Sequence, residues 1–535
     1  MKKYLFSLVL ISIIALGFFL RFWKLGYAPA GLYLDEAGQG YNAYSILKTG
    51  RDEFGMPFPA AFRSFNDFKT PVYVYLIAPL IPVFGLNTFS IRFPSFFFSV
   101  LTLPLLYFLV KQLNPRPARP AGGSTIYNLP SIATLLLAIS PWHILFGRTN
   151  FECNVALFLL LLAYYLFLLA LKKPWLLVVS AIFFAVALPA YHSERILVPL
   201  ILLYLTVKYF KIITSPQYLK FSLLSLVIGI LISIPTIRII STPGFLARVS
   251  TLSIFGGTSW GPLEWPSLYL SYFSPRYLFW LGDSGPRSSF LDLSVLYLWQ
   301  LPFFLHGLYL LFNSKTSSSL KQFIVLMLII SPIPASLTRD PFSTIRALPL
   351  VIPLNIICAL SITKLWGKIS STSTKVILTV SVLFYSLLKL YSSGYLLNEY
   401  YRAAYWDYGW QQVAKVINNE LDPNLPIVVD NARNEPYSQL LVFLKPDPTI
   451  YQKENFEVSN QDYYTYMSRN TTKKIGRLTT RGINWVKDTK ISQYLIGDGL
   501  AISFQQIKDN NLTLIKEINY PDGSPAYRIT KTNPL

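Results

Sequence analysis

Through about its first 400 residues the chain repeats apolar runs broken by short polar segments, and those segments fall into two chemically different sets. A helix that crosses a bilayer needs about 20 mostly apolar residues, so the runs are read as membrane spans. One set of polar segments carries lysine and arginine and no acid: Met1–Lys3, Lys111–Thr125, Lys172–Lys173, Lys208–Lys220, Asn313–Lys321 and Lys364–Lys375. All 26 acidic residues lie in the other set or at the span ends that face it. Short loops rich in Lys and Arg stay in the cytosol, which orients the whole chain. Eleven spans follow, at roughly 4–23, 93–110, 129–147, 154–171, 175–191, 196–210, 221–240, 291–312, 322–337, 344–363 and 376–394. With the N-terminus cytoplasmic, an odd number of crossings puts the C-terminus outside. The expected class is a multi-pass α-helical protein of the cell membrane, and a soluble core is excluded.

The net charge of +21 does not argue for nucleic acid, because much of it sits in loops beside the membrane. Attraction to anionic lipid accounts for such loops. The first apolar run resembles a signal peptide, but Arg21-Phe22-Trp23-Lys24 follows it without a small-residue cleavage site, so it reads as an uncleaved span. Cys153 and Cys358 both fall in spans, which points to neither a disulfide nor a thiolate metal site.

The expected organisation is a transmembrane catalytic domain over 1–394, with outward loops at 25–92 and 241–291, and a small extracytoplasmic α/β domain over 395–535. The first loop opens on Leu34-Asp35-Glu36, continues as a short helix through Leu47 and contains Phe65-Asn66-Asp67-Phe68-Lys69-Thr70-Pro71. The stretch Val72–Leu86 is short for a span and broken by Pro79 and Pro82, so it reads as a helix lying in the outer interface. The second loop mixes Trp260, Trp265, Tyr269, Tyr272 and Trp280 with Gly and Pro, a composition suited to the headgroup layer. In the C-terminal region the spacing predicts helices over Tyr408–Asn418 and Pro436–Leu444 and a buried strand at Ile427–Asp430. Leu512–Ile518 and Ala526–Thr530 read as a closing hairpin around Pro521-Asp522-Gly523-Ser524.

Ionisable groups collect at the outer ends of the spans, among them Asp35, Glu36, Asp67, Lys69, His143, Arg148, Glu152, His192, Arg195, Asp283, Asp340 and Arg346. Charges at the bilayer centre are costly, so such groups gather at rims and in wet cavities. Anchoring alone would tolerate acids at both faces. The mixture of carboxylates and cations on one face fits an outward-opening polar cavity better. In such a cavity a carboxylate takes a proton from an attacking hydroxyl while Lys or Arg holds a phosphate leaving group. A sugar on a lipid phosphate is the natural donor there, since nucleotide sugars are made inside the cell. A transporter or flippase of lipid-linked or small polar solutes is the alternative, but it would place polar groups near the midplane and show inverted repeats or broken helices.

At these residues the chain resembles glycosyltransferase family 39, which has the GT-C fold and includes protein O-mannosyltransferases and the lipid A aminoarabinose transferase. The resemblance is carried by Asp35-Glu36 after the first span, Lys69-Thr70-Pro71, Arg92-Phe93-Pro94-Ser95, and Ser140-Pro141-Trp142-His143 with Arg148 through Glu152. It covers about residues 1–350 in layout and implies an inverting, metal-independent transfer from a polyprenyl-phosphate sugar on the outer face. The acceptor would be a protein, a lipid or an envelope glycan. Carried over, Asp35 is the general base, Glu36 shapes the acceptor site, and Lys69 meets the donor phosphate, with Arg195 and Arg346 as further phosphate contacts. Asp67, His143, Arg148, Glu152 and His192 are substrate-site candidates.

Each has a plainer reading. Asp35 and Glu36 suit the first turn of a helix, Lys69 a snorkelling interface lysine, and Arg148 and Glu152 a pair four residues apart on one helix. Phe68 stands where some relatives carry an acid. On a short helix or turn the offset would point Asp67 away from Lys69. Two histidines without a third ligand make no metal site, so no metal or other cofactor is expected.

Overall fold

The computed structural model describes residues 2–64, 67–114, 128–240, 242, 253–255, 261–313, 316–456, 463–464 and 472–534. Much of the basic segment 111–125 and of the loop 241–291, together with Phe65 and Asn66, lies outside these. The chain divides into two compact units, Met1–Trp23, Pro94–Ile240 and Arg248–Gly394 in one, and Lys24–Phe93, Ser241–Ala247 and Tyr395–Leu535 in the other. The first loop, 25–92, expected with the spans, is thus grouped with the C-terminal region.

The first unit is helical. Every expected span contains helix, and seven helices among the described residues are long and apolar enough to cross a membrane. Two of these, Glu152–Ala170 and Leu348–Trp366, have 78% of their apolar window buried inside the protein, against 17% for Pro216–Ile240. Leu224, Val227, Ile230 and Leu231 of that last helix are exposed. An apolar face left open in this way is matched by lipid rather than water. Close packing of the inner helices relies on small residues. A Cβ on Gly307 of Gln300–Asn313 would stand 2.1 Å from the Ile357 carbonyl oxygen in the helix Val351–Trp366.

Some expected spans depart from a single helix. The run 129–147 ends its first helix at Ala138 and starts a second at Pro141, because the Ser140 side chain caps the new helix through the His143 N–H and Pro141 occupies its first turn. The run 291–312 becomes helical only at Gln300. There the Gln300 Oε1 accepts the Tyr297 N–H at 2.9 Å and closes a turn ahead of the helix.

The second unit opens with the helix Leu34–Thr49, followed by the hairpin of β1 (Phe62–Ser64) and β2 (Asp67–Lys69) and by helical turns from Pro71 to Phe84. Gly40 admits the Ile91 side chain, which a Cβ would meet at 2.3 Å. The C-terminal part builds a six-stranded sheet from β3 (Ile427–Val429), β4 (Lys473–Ile475), β5 (Leu478–Thr480), β6 (Tyr494–Asp498), β7 (Thr513–Asn519) and β8 (Pro525–Lys531), in the order β4-β5-β3-β6-β8-β7. β3 runs parallel to β5 and β6, and the other pairs are antiparallel. All three β3 residues are buried, as a central strand requires. The expected helices appear at Trp410–Asn419 and Tyr437–Leu444, and the expected hairpin is β7–β8.

Candidate active site

In the second unit the first loop brings Asp35 and Lys69 together. Asp35 sits in the first turn of Leu34–Thr49, where the unpaired N–H groups and the helix dipole favour a carboxylate. Its Oδ2 accepts a hydrogen bond from the Lys69 Nζ at 2.7 Å, and both side chains keep partial exposure, 26% and 16%. Asp67 Oδ2 is 3.9 Å from the same ammonium. The segment is strand rather than helix or turn, so residues two apart share a face and Asp67 points toward Lys69, contrary to expectation. Phe68, between them, is buried against Tyr463 and Tyr464.

Glu36 is placed differently from its expected role at an acceptor. It is fully buried and held by Arg92, whose Nε and Nη2 donate to its two oxygens at 2.8 and 2.7 Å. Arg92 also donates to the Pro29 and Gly31 carbonyls, both at 2.9 Å, and lies over the Trp406 ring. Glu36 Oε2 accepts the Tyr33 N–H at 3.1 Å, so the helix-end reading describes Glu36 well. Glu36 and Arg92 form a buried clamp behind Asp35.

A second acidic pair in the same loop, Asp52-Glu53, is one that sequence reasoning missed. Asp52 accepts the Phe54 and Met56 N–H groups and the Tyr463 hydroxyl, the last at 2.6 Å. Burial pushes the Asp52 carboxyl up to about 6 and the Glu53 carboxyl to about 8, while burial pushes the nearby Lys473 ammonium down to about 8. A doublet of acids so soon after Asp35-Glu36 is the signal the sequence offers for it.

In the first unit the remaining candidates separate into core and rim. His143 is fully buried, with its Nδ1 2.8 Å from the Arg21 Nη2. Arg21 also donates to Ser99 Oγ and to the carbonyls of Gly17, Ala138 and Leu137. Arg148 donates to the Leu20 and Arg21 carbonyls, both at 3.1 Å, and so closes the C-terminal end of the first helix. It lies in a turn, and Phe151 is extended before Glu152 begins the next helix, so Arg148 and Glu152 do not share one helix as expected. His143 and Arg148 are thereby structural. Arg21, which organises both, escapes sequence reasoning because it looks like a flank of the first span.

At the rim, His192 Nδ1 and Arg195 Nη1 are 2.8 Å apart, and the neighbouring Ser193 hydroxyl donates to the Arg346 carbonyl at 2.9 Å. Arg346 reaches the Asp340 carboxylate and the Thr338 and Ser343 hydroxyls. Asp283 Oδ2 accepts the Thr344 N–H and hydroxyl, each at 2.8 Å, and burial raises its pKa. Two cations, Arg195 and Arg346, are therefore held in one neighbourhood of this unit. Among the described residues no three His, Cys, Asp or Glu side chains are placed to hold a metal ion.

Residues 68–236 match the sequence family described as dolichyl-phosphate-mannose-protein mannosyltransferase, so the family resemblance is borne out over that stretch. No curated protein matches the chain by sequence. Among solved structures, ArnT from Cupriavidus metallidurans is similar over 100% of both chains. Its TM-score is 0.56 at 10% identity in the apo state, and 0.57 at 11% identity when bound to undecaprenyl phosphate. Likeness at that identity establishes a shared fold, and the membrane-length helices agree with the expected multi-pass class.

Proposed function

We propose that the chain is a membrane glycosyltransferase that moves a sugar from a polyprenyl-phosphate donor to a hydroxyl-bearing acceptor on the outer face of the membrane. The observation that carries this reading is the Asp35–Lys69 pair, a carboxylate and an ammonium 2.7 Å apart, both partly exposed. It belongs to a chain that matches a lipid-phosphate mannosyltransferase family and shares a fold with a protein crystallised with undecaprenyl phosphate. In this reading Asp35 takes the acceptor proton as the hydroxyl attacks the anomeric carbon. The bond from that carbon to the phosphate oxygen breaks, and the departing phosphate takes up the negative charge. Lys69 leaves Asp35 to neutralise that phosphate. Attack opposite the leaving group inverts the anomeric centre, and the lysine supplies charge that a metal supplies elsewhere.

The test is transfer or donor hydrolysis in membranes carrying the full chain. Asp35→Asn should abolish turnover while the protein remains inserted and folded, and Lys69→Ala should weaken undecaprenyl-phosphate binding. Full turnover by Asp35→Asn removes the base assignment, and uptake of an untethered solute without transfer favours a transporter.

A further inference from the structure

We propose that the C-terminal region is part of the catalytic apparatus: Asp407 and Tyr463 are positioning residues that set where Asp35 and Lys69 meet. This rests on the roles given to Asp35 and Lys69 above, and it assigns the region a duty other than acceptor choice.

Two short elements must be fixed for the pair to form, the first turn of Leu34–Thr49 and the β1–β2 hairpin. The helix start is held by Asp407, whose Oδ2 accepts the Leu34 N–H at 2.9 Å. That N–H is one of the unpaired donors of the helix end, and a carboxylate there also meets the positive end of the dipole. Gln439 Nε2 donates to the same oxygen at 2.9 Å and steadies it. The approach is close. Gly31, at φ +92°, has no room for a side chain, because a Cβ would lie 2.2 Å from the Trp406 carbonyl oxygen and 2.8 Å from the Tyr408 nitrogen. Asp407 itself takes φ +53°, a left-handed conformation that a non-glycine residue keeps only where its surroundings impose it.

The hairpin has three residues per strand, too few to hold its own register. Tyr463 supplies the restraint. Its hydroxyl accepts the Arg63 N–H of β1 at 2.9 Å and donates to Asp52 Oδ2 at 2.6 Å. Its ring, with that of Tyr464, seats Phe68 of β2. Since side chains alternate along a strand, seating Phe68 on one face sends Asp67 and Lys69 to the other, where Nζ reaches Asp35. A region that only selected acceptors would have no need to grip these two elements.

The experiment uses the full chain in detergent and reads two quantities. The first is the rate at which a small amine-reactive reagent modifies Lys69, followed by mass spectrometry, which requires no donor. The second is turnover of undecaprenyl-phosphate mannose. Asp407→Ala and Tyr463→Phe should raise Lys69 labelling several-fold, toward the level of Asp35→Asn. They should lower kcat by ~10- to 100-fold with little change in the donor KM, the penalty expected when reacting groups are misplaced by about 1 Å. Asp407→Asn, which keeps an acceptor oxygen for the Leu34 N–H, should recover most of both. Unchanged Lys69 labelling in Asp407→Ala and Tyr463→Phe overturns the proposal even if turnover falls. So does a change in acceptor preference with kcat intact. Full turnover by Asp35→Asn instead removes the underlying functional reading, whatever the labelling shows.

Discussion

Replacing Arg92 should damage the protein chiefly because it strands the buried Glu36 carboxylate, and only secondarily because its hydrogen bonds to the backbone disappear. Arg92 and Glu36 are both wholly buried, and four hydrogen bonds from the guanidinium serve two carboxylate oxygens and two backbone carbonyls. Breaking a buried pair by removing one partner costs about 3–5 kcal/mol, because the remaining ion has neither water nor counter-charge. Replacing both partners by apolar groups of similar volume is often neutral or stabilising. Arg92→Met alone should therefore lower the melting temperature by on the order of 10 °C. Glu36→Met alone should do similar harm, and the Arg92→Met/Glu36→Met double variant should recover a large part of the stability. The assay is tryptophan-fluorescence melting of the purified protein in detergent at one scan rate, arranged as a double-mutant cycle. Costs that simply add in the double variant would refute the argument, since additivity means the two side chains do not depend on each other.

Stability of the second unit should fall as pH rises from about 5 to 8. Glu53 binds its proton more tightly when folded, so the stability it contributes is complete below its ordinary value of 4.5 and is lost on passing its folded value of about 8. Lys473, pushed down to about 8, has the opposite slope and acts only above that value. Melting scans of Glu53→Gln should lose most of the slope between pH 5 and 8, and an unchanged slope would contradict the assignment. Gly307→Ala should cost about 1–3 kcal/mol or more by forcing two inner helices apart, read as a lower melting temperature and a lower yield of inserted protein. Asp283→Ala should orphan the buried Thr344 N–H at about 1–3 kcal/mol, read as a lower melting temperature. An unchanged melting temperature in that variant would show that the Asp283 carboxylate does not support the Thr344 segment.

Some of the candidate site was legible in the chain. Asp35 and Lys69 stand out because each lies beside an apolar run in an acid-bearing polar segment, and both features are local. Asp67 is misjudged for the same reason. Read on a helix or turn its offset points away from Lys69, whereas on β2 it points toward it, and no residue between 65 and 71 declares the strand strongly. Arg148 and Glu152 look like a helical pair until the extended Phe151 separates them. Asp407 carries no signal at all, since an aspartate in a polar stretch is unremarkable until the chain returns it to the Leu34 N–H.

The helical membrane class, the strands β3, β7 and β8 and two helices of the C-terminal region could be read without coordinates, because bilayer length, charge asymmetry and side-chain periodicity are written in contiguous residues, whereas β4, β5 and β6 were not. Folding in three dimensions was needed to group residues 24–93 with 395–535, to turn Glu36 toward Arg92 rather than an acceptor, and to commit His143 to Arg21. Those outcomes depend on which buried charges meet across distant stretches of chain, and pairing at a distance leaves no periodic trace.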